Sequence, residues 1–147
     1  MKKANVNTGF IEWLSTEEMH NDSKEWLLEL EFLNDEYLFF EDLIKWNTLQ
    51  LIDFQSYAKS KAIIDVFSSA KKNNDTLIAS VKKHENSLGI LDDEVDKTKE
   101  TYKKEHKVLL ILFKNHVKEH RELKLKLFDV LKEIKKKEKQ NSVLDVE

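Results

Sequence analysis

The chain has 147 residues, 25 Lys plus Arg against 28 Asp plus Glu, a formal net charge of −3, no Pro, no Cys and two Gly. That length allows one domain, or two very small ones. The lack of turn-formers excludes a many-stranded sandwich or barrel, and the lack of Cys excludes disulfides, thiolate metal sites and a thiol nucleophile.

Charged residues make up 36% of the chain, and the apolar residues are concentrated in Leu and Ile, a composition that suits long helices. Lys2 and Lys3 are followed by no apolar stretch of signal-peptide length. The longest apolar run, Val108 to Phe113, is far too short to cross a bilayer. The expectation is a cytoplasmic protein with no membrane partner. A pI near 6.0 supplies no global attraction to nucleic acid.

The first helix is expected over residues 16–46. Ser15 stands at the N-cap with Glu18 three residues on, a capping box, and Leu14 and Met19 occupy the two positions of a hydrophobic staple. Met19, Ser23, Trp26, Leu30, Leu33, Tyr37, Phe40 and Ile44 then step 4-3-4-3, the spacing of a helix-packing seam. Asn47-Thr48 is a plausible stop.

The second helix is expected over 53–91. Ile63, Phe67, Ala70, Asn74, Leu77, Val81, His84, Leu88 and Leu91 continue the rhythm. The polar run Lys71 to Asp75 could break it, but the stripe keeps phase across it. Gly89 weakens the last turn. Asp92-Asp93-Glu94 form an acidic corner that favours the start of a third helix. That helix is expected over 95–139, with Val95, Tyr102, His106, Leu109, Phe113, His116, His120, Leu123, Leu127, Val130 and Ile134 on one face. Residues 141–147 read as a frayed tail. Short connections make neighbouring helices antiparallel, so the fold expected over 1–140 is an all-α, elongated up-down-up bundle of three long helices with coiled-coil-like seams.

Charge is unevenly shared. Residues 16–46 carry ten acids against two lysines, net −8, while residues 54–91 carry +3 and residues 95–140 carry +7. The simplest consequence is that the acidic helix flanks two basic ones. The lysine cluster Lys132, Lys135, Lys136, Lys137 and Lys139 is diluted by Glu133 and Glu138 and has no interleaved aromatics, which argues against nucleic acid.

Four of the five histidines lie on the apolar stripes. His116 and His120, at i and i+4, point from one helical face and could share a metal. Folding the chain about residues 50 and 93 sets them level with Leu30, Ala70, Leu33 and Phe67, which supply no further ligand. The same arithmetic gathers Glu17, His20, His84, Glu105 and His106 at one end of the bundle. Glu17-Glu18-Met19-His20 contains a Glu-x-x-His spacing of the kind di-iron carboxylate bundles use, but those need it twice, with further inward acids. A small metal-binding bundle built on Glu17, His20, His84, His106, His116 and His120 is therefore the alternative function. No cofactor is called for by the leading one. No strained serine turn, glycine-rich phosphate loop or isolated carboxylate pair points to an enzyme.

The leading function is association. At 100° per residue from Trp26, Leu28, Phe32, Phe39, Leu43 and Trp46 fall between about 200° and 260°, nearly opposite the first seam. One helix of a three-helix bundle buries a single stripe. The second stripe therefore predicts an interface with a second copy of the chain, or with another helical protein, unless Phe10, Ile11 and Trp13 or the Leu49–Phe54 connection fold back over it.

Overall fold

The computed structural model describes residues 14–54, 57–88 and 96–145. The N-terminal segment with Phe10, Ile11 and Trp13, Gly89, Leu91, the acidic corner Asp92 to Glu94, and Val95 lie outside them. Four helices are present among the described residues: α1 (Thr16–Trp46), α2 (Thr48–Phe54), α3 (Tyr57–Ser87) and α4 (Asp96–Asp145). The three long ones form the expected all-α bundle.

α1 starts where its capping chemistry requires. Ser15 Oγ accepts from the Glu18 N–H at 3.1 Å, and Glu18 Oε1 accepts from the Ser15 N–H at 2.9 Å. Leu14 and Met19 are both buried against Tyr102, so the staple also fastens the first turn of α1 to α4. Ser15→Ala should cost about 0.5–2 kcal/mol. A thermal melt that does not move would show that the cap contributes nothing.

All eight residues of the expected first seam are buried: Met19, Ser23, Trp26, Leu30, Leu33, Tyr37, Phe40 and Ile44. The helix ends at Asn47, whose side-chain amide donates to the Leu43 carbonyl at 2.7 Å. The next step differs from expectation. The chain does not run loosely to a helix beginning near Asp53. Thr48 Oγ1 donates to the Ile44 carbonyl and the Leu51 N–H to that of Asn47, so a short helix, α2, starts at once. α2 buries Leu51 in the core, and the second long helix begins only at Tyr57.

α3 is unbroken through Lys71 to Asp75, because Asn74 turns into the core and finds partners there. It closes at Ser87, with Leu88 in a tighter turn. α4 runs past the expected end at Lys139. Its backbone stays helical to Asp145, with no Gly or Pro after Lys139 to interrupt it. Its 50 residues span roughly 75 Å.

Cross-helix contacts set the directions. Asn74 meets Leu30, and Lys71 meets Glu41, so α1 and α3 are antiparallel. His84 meets His106, and Asn74 meets His116, so α3 and α4 are antiparallel too. α1 and α4 then run parallel and join through large side chains, Trp26 on Phe113 and Phe40 on Phe128. The main core is one cluster from Trp26 to Ile134, with a smaller one of Leu14, Met19 and Tyr102 at the start of α1. Past Ile134, residues 135–140 are all exposed, so α4 outruns the core. No described helix is long and apolar enough to cross a membrane.

Candidate functional site

Two features exceed what a plain bundle needs: a row of histidines in the core and a second apolar row on the outside of α1.

At the end of the bundle that carries the start of α1, His84 on α3 and His106 on α4 are buried and joined, Nε2 to Nδ1, at 2.9 Å. His84 Nδ1 reaches Glu105 Oε1 at 2.5 Å, and His106 Nε2 reaches Asp22 Oδ2 at 3.0 Å. The rings are packed on both sides. Tyr102 stacks on His84 with centroids 4.0 Å apart, and Trp26 stacks on His106 at 4.6 Å. Burial pushes His84 below the ordinary imidazole value, against the pull of Glu105. Burial also raises the Tyr102 phenol to about 12. His20 pairs with Glu85 beside this group and remains partly exposed.

Further along α4, His116 Nε2 donates to Asn74 Oδ1 at 2.8 Å, and Asn74 Nδ2 donates to the Leu30 carbonyl at 2.9 Å. Burial holds His116 below its ordinary value, and the neighbouring His120 adds to the effect. His120 Nε2 donates to Glu36 Oε1 at 2.6 Å, and Lys124 reaches the same carboxylate at 3.2 Å. Burial alone would raise the Glu36 carboxyl, but the hydrogen bonds from His120 and Lys124 outweigh it and hold it below the ordinary value. Tyr37 lies edge-on to His120, and burial, together with the carboxylates of Glu119 and Glu36, raises its phenol far above the ordinary range.

The expected constellations are thus partly assembled. His20, His84, Glu105 and His106 do gather at one end. Glu17 stays exposed on the first turn. His116 and His120 are not bonded to each other, and they sit roughly 15 and 21 Å along α4 from His106. Among the described residues, no group of three or more His, Asp or Glu side chains stands where it could hold a metal ion. Sequence reasoning missed the partners Asp22, Glu36 and Asn74. α3 and α4 fold about residue 95 rather than 93, as the His84–His106 and Asn74–His116 pairs show, so the expected levels were a turn out. The usable signal was angular: Asp22 and Glu36 flank the first seam of α1 on its α4 side.

The outer row of α1 is open. Leu28, Phe32, Phe39 and Trp46 are 69, 57, 51 and 67% exposed. Leu43 leaves the set: it is half-buried and packs against the core. Leu49 on α2 joins it at 75% exposed, so the connection after α1 extends the row instead of covering it. With Asp35 and Asp42 the row reads 28-32-35-39-42-46-49, an unbroken 4-3-4-3 seam. The acidic flanks of α1 are partly matched inside the monomer, by Lys124 on Glu36 and Lys71 on Glu41.

Comparison of the chain with protein-family models, with curated proteins and with solved structures finds no match to any of them.

Proposed function

We propose that the chain is a non-catalytic helical scaffold that works by association, pairing with a second copy of itself through the outer seam of α1. The observation that carries this is the open row Leu28, Phe32, Phe39, Trp46 and Leu49. A row of five large exposed apolar side chains, spaced by Asp35 and Asp42, on a water-exposed helix is the usual mark of an interface. The buried imidazoles are engaged in hydrogen bonds within the bundle, which fits a structural use better than a catalytic one.

Charge chooses the face that meets it. The −8 of residues 16–46 repels a bare pairing of two α1 helices. α4 offers a complementary row at the same 3-4 spacing: Ile111, Lys114, Lys118, Arg121 and Leu125, apolar at its ends and basic between. Ile111 and Leu125 are both exposed. Set against Phe32, Asp35, Phe39, Asp42 and Trp46, it matches apolar ends with apolar ends and the two carboxylates with Lys114 and Arg121, with Lys118 over Phe39. With α1 antiparallel to the partner's α4, a two-fold axis perpendicular to the bundle makes this contact twice.

Wild-type protein should sediment as a dimer at tens of micromolar. Phe32→Glu with Phe39→Glu should weaken the dimer by more than about 100-fold, since burying each large side chain contributes about 1.5–3 kcal/mol. The melting temperature of the monomer should hardly change. A wild-type monomer at that concentration overturns the homodimer and leaves the seam to residues 1–13 or to another helical protein.

A further inference from the structure

We propose that the Asp22–His106–His84–Glu105 chain is a proton-binding site, in which two buried imidazoles hold one shared proton that ties α1, α3 and α4 together and makes that end of the bundle sensitive to pH. The inference follows from counting hydrogens. The chain has three links: Glu105 to His84, His84 to His106, and His106 to Asp22. Each link needs one hydrogen. Both side chains reach solvent, 55 and 39% exposed, and a carboxylate, having no hydrogen to give, can only accept. The three hydrogens must therefore sit on the four ring nitrogens. Two neutral imidazoles carry only two. The complete chain holds one proton more, spread over a pair with a single positive charge between two negative ones.

The proton belongs on the rings and not on a carboxyl, because imidazole is the stronger base by roughly two units. The Trp26 face stacked on His106 favours a positive ring as well. A fourth hydrogen is opposed: it would set N–H against N–H in the central link, and burial already holds His84 below its ordinary value. The pair therefore takes one proton and resists a second. The other titratable groups around it are His20 on α1, Glu85 on α3 and Tyr102 on α4. His20 and Glu85 pair with each other, and the raised Tyr102 phenol stays neutral.

Stability should then peak near about pH 6.5, where an unperturbed imidazole titrates. As pH rises the shared proton leaves, and one of the three links is lost with it. As pH falls, the unfolded chain takes up a second imidazole proton before the folded pair does, so protons favour unfolding.

The test is a count of protonated ring nitrogens in ¹⁵N-histidine-labelled full chain by NMR at about pH 6.5, with melts across the pH range. Three of the four nitrogens of His84 and His106 should carry hydrogen. In Asp22→Asn the amide can donate to His106 Nε2, so two neutral rings complete the chain. The count should fall to two, and the alkaline loss of stability should disappear. Glu105→Gln should do the same from the other end, so one poorly folded variant does not decide the matter. Two ring hydrogens in the wild type, or an alkaline limb unchanged in both variants, overturns the proposal.

Discussion

Phe40→Ala should lower the unfolding free energy by about 3–5 kcal/mol, the range for removing a fully buried aromatic ring. A domain of this kind is stable by only about 5–15 kcal/mol, so the variant should melt far below the wild type. Phe40 is the ring through which three helices meet. It lies edge-on to Phe67 of α3 at 5.5 Å and to Phe128 of α4 at 5.8 Å, and it stacks on His120 at 5.8 Å. Deleting it leaves a cavity bounded by rings that cannot all shift to fill it, which puts the cost at the upper end of the range. The neighbouring residue is the control. Phe39 is half exposed and touches Phe40 from outside at 6.1 Å, so Phe39→Ala should leave the monomer nearly as stable while weakening association. Thermal or urea unfolding of the two variants separates core from interface. Equal losses would mean that the outer row is part of the fold.

Asn74→Leu should destabilise the bundle by about 2–4 kcal/mol, although it replaces a buried amide with an apolar side chain in an apolar seam. A lone seam Asn ordinarily sets register at a cost in stability, and its replacement by Leu then raises the melting point. Here both ends of the amide are engaged, by the Leu30 carbonyl and by His116 Nε2. Leucine would strand a buried ring N–H inside the bundle, and an unsatisfied buried group costs about 1–3 kcal/mol before any misfit of the branched side chain. Equilibrium unfolding decides the sign, and a higher melting point would show that the amide serves register alone. The companion change His116→Leu with Asn74→Leu should recover part of the loss, because the partners leave together.

The alternation of large apolar residues determined the fold class, the first boundary of α1, its whole buried seam and most of the inward face of α3 and α4. That information is local: a 3.6-residue period and a capping box need no knowledge of distant neighbours. Even the polar seam members Ser23, Asn74, His84, His106, His116 and His120 were correctly placed inward by phase alone. The open row on α1 was legible for the same reason, since one helix cannot turn two opposite stripes to one core.

Only the tertiary structure decided what each buried polar group meets. Partners across helices depend on where the chain turns: α3 and α4 fold about residue 95 rather than 93, and α1 reaches α3 through α2. Its seven residues replace a loose connection, bury Leu51, and delay the start of α3 to Tyr57. A shift of one turn exchanges an apolar neighbour for Asn74 beside His116, or for Glu36 beside His120. Periodicity is blind to such a shift, because a seam moved by a whole repeat looks the same in sequence. Hydrogen bonds act over about 3 Å and are not blind to it. The packing of the helices therefore selected Asp22, Asn74, Glu36 and Glu105 as the partners of the core histidines.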